Sequence, residues 1–459
     1  MYLIRNKNLR IQLNNVILRL FFIEYAKKMT QIKKITIKGF RNIGEVSINL
    51  QNITTLLAPN NYGKSNVLSA LTFGFRFMKE LPETRQKMMN DISHVSINKN
   101  NAGLPFNFEI EGMLSENEDF VYGYGFEWKR SRNMSSTDGT IVSEYLKIRK
   151  NIGEHSQYNS FILRNRPEKA QYKPSLTGRC SKTLFLNSCL LAIDKLSNYD
   201  DLFFNAQLKA IMRIEVLGID TLSDPREHYS LGITVKEGKI VLSEWLGKYL
   251  FELKTERADD YAYLMSIIGN LVPSIESIEP VIVNVKGKNV DDDVPFELPD
   301  QYDIMVKEEF NNQSTRFQYL STGCMKILYL LVNIFRASHD HVQLLLAEEL
   351  ENSIHPKLLQ SLLVSVEALL GETKLLFTSH SPYLSQYLSA PQIFVGLPSE
   401  NGLVDFRILK TSKVKTALKI ASAGNMSLGE YLFELMLDME SDPELMTDFF
   451  GEKKGGMDA

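Results

Sequence analysis

The stretch Leu56-Leu57-Ala58-Pro59-Asn60-Asn61-Tyr62-Gly63-Lys64-Ser65-Asn66-Val67-Leu68 constrains the fold more than any other. An apolar run, Ile53 to Leu57, reads as a buried strand, and Val67-Leu68 with Ala70-Leu71 begin a helical pattern. The loop between them ends in Gly-Lys-Ser, the phosphate-binding pattern, with Ala58 in place of the first glycine. Gly63 lets the backbone turn tightly and approach an anion. Successive N–H groups and the helix N-terminus can then surround phosphates. Lys64 is placed to reach the terminal phosphates, and the Ser65 hydroxyl to ligate Mg²⁺. Position 58 needs a small residue more than it needs glycine.

Composition narrows the rest. The 459 residues are 44% hydrophobic and 23% charged, ordinary for a globular chain, and the length predicts several domains or one domain with an insertion. A net charge of −3 gives no global basic excess for nucleic acid, which leaves only local patches to consider. Cys180, Cys189 and Cys324 are too few and scattered for a disulfide framework or zinc site, so a reduced, cytoplasmic setting is expected. Residues 1–28 hold six Lys or Arg and one acid, Glu24, around an apolar run broken by Arg19. They lack a signal-peptide core and the roughly 20 apolar residues of a membrane span. An amphipathic surface helix fits them; the plainer expectation is an extension ahead of a start at Met29, and no membrane partner.

From Ile32 the pattern alternates twice, through Ile35 and Ile37 and then Val46, Ile48 and Leu50, with Gly39-Phe40-Arg41-Asn42 as the turn. Residues 66–81 read as the helix after the phosphate loop. Residues 106–150 read as antiparallel strands, with a turn over Asn133–Gly139 and an aromatic strand over Tyr122–Trp128. Those aromatics suit strand packing better than base stacking. Residues 151–304 read as a mostly helical inserted lobe, from helical spacing in Leu184–Leu196, Asp201–Leu217 and Leu242–Leu253. Its basic stretch, Arg164, Arg166, Lys169, Lys173, Arg179 and Lys182, fits either a nucleic-acid backbone or a solvated face. Asp291-Asp292-Asp293 reads as a solvated loop.

After Val306, Leu320-Ser321-Thr322-Gly323 opens an apolar helix over Met325–Phe335, with Ser321 as N-cap and a second anion-binding helix start. Val342 to Ala347 is an apolar strand ending in Glu348-Glu349. One carboxylate can hold a metal through water, and the other can orient and deprotonate an attacking water. A helix over Leu358–Leu370 follows, then a strand over Lys374–Thr378 ending in Ser379-His380-Ser381-Pro382. There His380 can sense or stabilise a terminal phosphate.

In this order, Gly39-Phe40-Arg41-Asn42, Asn60 to Asn66, Leu320 to Gly323, Leu346 to Pro356 and Thr378 to Pro382 resemble the ABC-type ATPases of the RecF, SMC and OLD group. The bacterial AAA-family branch of phage-defence and abortive-infection operons is the nearest resemblance, over about 32–150 and 305–390. It implies that Lys64 and Ser65, with Asn60, Asn61, Tyr62, Gly63 and Asn66, bind ATP and Mg²⁺. It makes Arg41 a neighbour of the nucleotide and Glu348 the metal-side carboxylate. Glu349 becomes the catalytic base and His380 the switch histidine. Ser321 and Gly323 form the signature loop, which contacts the γ-phosphate held by another subunit. Glu348 stands where Asp is usual, and Cys324 and Met325 replace more polar residues. The glutamine that couples metal to structure is not identified.

The expected fold is α/β: an ABC-type P-loop NTPase head with an antiparallel β subdomain and an inserted, mostly helical lobe. Residues 29–150 and 305–400 form the head, 151–304 the lobe and 401–459 a helical tail. The expected function is an ATP-hydrolysing dimerisation switch, forming a homodimer or higher oligomer through ATP. It would serve DNA repair or phage defence with an effector protein, and DNA as a further partner. An ATP-binding scaffold with little turnover is the alternative. An OLD-type nuclease is disfavoured, since the residues after His380 hold no Asp-x-Asp pair and Asp438-Met439-Glu440 is a poor substitute.

Overall fold

The computed structural model describes residues 30–91, 103–115, 119–130, 139–150, 157–222, 233–236, 239–242, 245–283, 301–397, 402–438 and 448–450. The extension over 1–28, the Asp291–Asp293 loop, most of the Asn133–Gly139 turn, and Met439 and Glu440 lie outside them. The described chain forms two compact units. One takes in residues up to Gly218, then 341–346 and 372 onward; the other takes in 219–340 and 347–371.

The first unit opens with β1 (Thr30–Phe40), β2 (Ile43–Asn49) and β3 (Ile53–Leu57), then α1 (Lys64–Lys79) and α2 (Pro82–Asn90). An antiparallel region follows as β4 (Phe106–Ser115), β5 (Asp119–Lys129) and β6 (Thr140–Lys150). It continues through β7 (Asn159–Arg166), β8 (Lys169–Tyr172) and β9 (Lys182–Phe185). These make one eight-stranded sheet, ordered β2-β1-β4-β5-β6-β7-β8-β9. Its inner face carries the aromatic strand. Tyr122, Tyr124, Phe126 and Trp128 are all buried, and Phe77 of α1 stacks on Phe126 at 4.9 Å between centroids. Each such ring contributes about 1.5–3 kcal/mol by burial, so these aromatics are core and are not available to bases.

Strands β7 to β9 correct the expectation of a mostly helical segment beginning at residue 151. Within Leu184–Leu196 only α3 (Ala192–Leu196) is helical, and Leu184 lies in β9. Spacing misleads here because these strands are short and polar, and pairing with the edge of β6 decides their state (Glu144 opposite Arg164, Leu146 opposite Ile162). The basic stretch also divides. Arg164 is fully buried, its guanidinium donating to the carbonyls of Leu190 and Asn187 and lying 3.8 Å from the Glu144 carboxylate. Lys173 is buried as well, whereas Arg166, Lys169, Arg179 and Lys182 are exposed. Glu144 accepts from the N–H groups of Ala192 and Ile193 at 2.6 and 3.0 Å and from the Tyr124 hydroxyl. Burial still pushes its carboxyl above the usual range, and the two amides and Arg164 oppose that.

The unit continues with α4 (Asn205–Met212) and β10 (Val216–Ile219). It resumes with β16 (Leu344–Ala347), β17 (Lys374–Ser379), α9 (Pro382–Ser385), β18 (Ile393–Gly396) and β19 (Phe406–Arg407). Helices α10 (Thr411–Ala423) and α11 (Leu428–Asp438) follow, in the predicted tail. A second sheet is ordered β10-β16-β17-β3-β18-β19, with β3 parallel to both neighbours. Every residue of β3 is buried, as a central parallel strand covered on both faces must be.

The second unit contains the hairpin β11 (Ile233–Lys236) and β12 (Lys239–Leu242), then α5 (Trp245–Glu256) and α6 (Ala258–Leu271). The three-stranded sheet of β13 (Ile275–Val283), β14 (Gln301–Glu308) and β15 (Thr315–Arg316) follows. Helices α7 (Thr322–His339) and α8 (Pro356–Leu370) pack on each other and on α6. Twelve of the eighteen residues of α7 are buried, which matches its nearly all-round apolar sequence.

Candidate nucleotide site

In the first unit, the loop from β3 to α1 is set by backbone conformation. Asn61 and Gly63 have φ of 67° and 82°, and alternation of this kind turns successive N–H groups into one concavity. A Cβ on Gly63 would lie 2.4 Å from the Val404 side chain, so glycine is required for space as well as for φ. The small residue at 58 has the same kind of reason: a Cβ at Gly396 of β18 would come within 2.6 Å of Ala58. Lys64 is the first residue of α1 and is only 6% exposed. Its ammonium donates to the carbonyls of Ala58 and Pro59 at 2.8 and 2.9 Å. A buried cation at a helix start, in a concavity of amides, fits a phosphate group. Ser65 is exposed on the first turn, Asn60 and Asn61 are exposed, and Tyr62 is half-buried.

Arg41 and Asn66 belong to the same neighbourhood. Arg41 sits in the tight β1–β2 turn, between the paired Phe40 and Ile43, with φ of 46° where a glycine is at ease. Its guanidinium donates to Asn66 Oδ1 at 2.9 Å, and Asn66 Nδ2 donates to Asn42 Oδ1 at 2.7 Å. Asn42 also accepts from the Val404 amide at 2.9 Å. Asn42 thus braces the loop's helix against the residue that packs on Gly63. Sequence reasoning placed Asn42 in a motif but gave it no role. His380 follows β17 and is exposed. Ser379 is paired with Leu57, and its carbonyl accepts from the Ala58 amide at 3.3 Å. His380 therefore leaves its strand beside the point where the phosphate loop leaves β3.

In the second unit, Glu348 and Glu349 follow β16 directly and are half-buried. Glu349 has φ of 45° and Ser353 of 64°, positive values in non-glycine residues within one turn. The turn is closed by Asn352 N–H to Glu349 O at 2.8 Å and Ile354 N–H to Glu351 O at 3.1 Å. His355 then caps α8, accepting from the Lys357 amide. Ser321 caps α7 as predicted, accepting from the Cys324 amide at 3.3 Å, and is exposed. A Cβ on Gly323 would lie 3.0 Å from the Ser353 carbonyl, so the start of α7 and the carboxylate turn touch. Gly323, two residues after Ser321, is thus brought against Ser353, four residues after Glu349, within this unit. Among the described residues no three His, Cys, Asp or Glu side chains cluster as a metal cage. A hydroxyl such as Ser65 and a carboxylate such as Glu348 are each the kind of oxygen donor Mg²⁺ takes.

Two family models match the sequence. Residues 211–385 match the family described as "AAA domain, putative AbiEii toxin, Type IV TA system", and residues 34–208 match one described as "AAA domain". No curated protein sequence matches the chain. Three solved structures are similar in shape. One is an SMC head bound to the C-winged helix domain of ScpA, 13% identical over 84% of this chain and 99% of that one, with a TM-score of 0.45. The SMC head domain from Thermotoga maritima is 11% identical over 83% and 100%, TM-score 0.40. The Smc head domain with an extended coiled coil, bound to the C-terminal domain of ScpA derived from Pyrococcus furiosus, is 10% identical over 86% and 100%, TM-score 0.39.

The fold is mixed α/β: a strand–loop–helix of the phosphate-loop pattern on a mixed sheet, with an antiparallel sheet in the same unit. Between them the two AAA-domain models take in residues 34–208 and 211–385. No helix of the described residues is long and apolar enough to cross a membrane.

Proposed function

We propose that the chain binds and hydrolyses ATP and uses the cycle as a dimerisation switch. The observation that carries this reading is Lys64, a buried ammonium at a helix start inside a concavity of amides. In this reading Lys64 and the amides of residues 61–64 hold the triphosphate, and Arg41 and Asn66 flank it. Ser65 and Glu348 hold Mg²⁺, which when bound supplies charge neutralisation at the phosphates. Glu349 accepts the proton of the attacking water, and His380 stabilises the terminal phosphate. Ser321 and Gly323 meet the γ-phosphate held by a second copy, since each copy's own phosphates are already on Lys64. ATP then joins two heads and hydrolysis releases them. The role proposed for the switch is phage defence or DNA repair through an effector protein; the family matched over residues 211–385, described as "AAA domain, putative AbiEii toxin, Type IV TA system", is the observation closest to the first.

The test uses two dead variants. Ser321→Arg and Glu349→Gln should each bind ATP and fail to turn it over. Mixed under subunit exchange, they can form one site with an intact Ser321 and an intact Glu349, so activity should return. No recovery would sink the shared site, and normal turnover by Ser321→Arg alone would do so outright. A wild-type protein that binds ATP and shows no turnover would favour the scaffold reading.

A further inference from the structure

A hydrogen-bond chain inside the second unit reaches the carboxylate turn from behind. Lys326 lies one turn into α7 and is buried, 8% exposed. Its ammonium donates to the carbonyl of Thr221 at 3.0 Å. The Thr221 hydroxyl donates in turn to the carbonyl of Glu348. Asp220, Tyr329 and Asn352 line the same cleft. Asn352 is the residue whose amide closes the turn on Glu349. On the other side of the turn, Gly323 sits against the Ser353 carbonyl.

These ties have a consequence for the carboxylates. A non-glycine residue at positive φ costs of order 1–3 kcal/mol and persists only where its surroundings over-determine it. Glu349 and Ser353 both carry that cost, and the turn's own bonds, from Asn352 and Ile354, are short-range. Besides the buried Leu350 and Ile354, the turn is tied to α7 through Gly323 at one end and through Lys326 and Thr221 at the other. We propose that Thr221 is a positioning residue for the carboxylate pair. Its hydroxyl holds the Glu348 peptide, and Lys326 holds Thr221, so the helix carrying Ser321 and the turn carrying Glu348 and Glu349 move as one body. The inference rests on the function proposed above. A group that meets a neighbour's phosphate at Ser321 would thereby set the aim of Glu349 in its own chain.

Thr221→Val removes the hydroxyl at constant shape, and Thr221→Ser keeps it. Lys326→Met removes the ammonium. In the full chain, Thr221→Val should lower kcat for ATP about 10- to 100-fold, the usual effect of losing an outer partner of a metal-side residue. Affinity for a fluorescent ATP analogue and the melting midpoint should stay near wild type. Thr221→Ser should recover most of the rate. Lys326→Met should match Thr221→Val, and the double variant should be no worse than either, because the two act in one chain. Amide exchange of Asn352 and Ile354 should quicken in Thr221→Val, a readout independent of ATP turnover. Unchanged exchange at these amides overturns the proposal whatever the enzyme does. So does a kcat within twofold of wild type for Thr221→Val while Glu349→Gln is inactive, or equal impairment of Thr221→Val and Thr221→Ser with a lowered midpoint. If Glu349→Gln itself turns over normally, the functional reading fails, and exchange alone then judges the Thr221 tie.

Discussion

The phosphate loop and the carboxylate turn solve one problem in two ways. Each must present groups from a sharp bend after a buried strand. The loop places glycine at the tightest point, Gly63, and braces it with Asn42, Asn66 and Val404. The turn has no glycine at its two left-handed positions, Glu349 and Ser353. There the bend is held by contacts from α7 and from Thr221. A left-handed glycine such as Gly63 carries little steric strain, although the loop also has Asn61 at φ of 67°. A bend made by Glu and Ser is strained, and it depends on whatever grips it. On the proposed function, that suits a loop that cradles an anion and a turn whose aim responds to α7.

The largest expected effect breaks the first region. Lys64→Ala removes the buried ammonium and should abolish ATP binding, as followed with a fluorescent analogue. Near-normal affinity would mean the loop is not the triphosphate site. Glu349→Gln breaks the second region chemically and leaves the first intact. It should bind ATP normally, turn over at a small fraction of the wild-type rate, and associate more strongly in ATP. If Glu348→Gln behaves this way and Glu349→Gln remains active, the two carboxylates exchange roles.

Two milder changes sharpen the contrast in strain. Gly63→Ala adds a methyl group at φ of 82°, 2.4 Å from Val404. It should lower stability by about 1–3 kcal/mol and weaken ATP affinity, since loop and side chain must both shift. Ser353→Gly does the reverse in the turn. It should raise stability by up to about 1 kcal/mol in thermal unfolding, by relieving a positive φ, offset partly by the entropy of a new glycine. A loss of stability on Ser353→Gly would show that the Ser353 conformation is not strained, and the contrast would fall.

The same contrast explains what was legible in the sequence. Strand, loop and helix around Lys64 were readable because glycine, lysine and apolar runs each have a local reason to be there. Ser321 was readable as a cap, and the structure has it capping α7. The paired carboxylates after β16 were readable as a strand end. Thr221 was not: it lies 127 positions from Glu348, and a lone threonine carries no signal by itself. Arg164 and Lys173 ran the other way: in a basic stretch that fits a nucleic-acid backbone or a solvated face, both are buried, Arg164 near the Glu144 carboxylate and Lys173 over the Phe161 ring.

By itself, the sequence determined the elements whose cause is local: β1 to β3 with their turn, the phosphate loop and α1, the apolar α7, and the β16–β17 pattern with its polar ends. Periodicity and glycine act over a few residues, so they survive in any fold. Only the tertiary structure decided that the antiparallel sheet runs on through β7 to β9, because a short polar strand forms by pairing with an existing edge. It alone decided which charges are buried, since desolvation depends on what packs opposite. The tie from Lys326 through Thr221 to Glu348 was also a tertiary decision, because a side-chain donor meets a carbonyl of a distant segment only once the core has brought them within hydrogen-bonding reach.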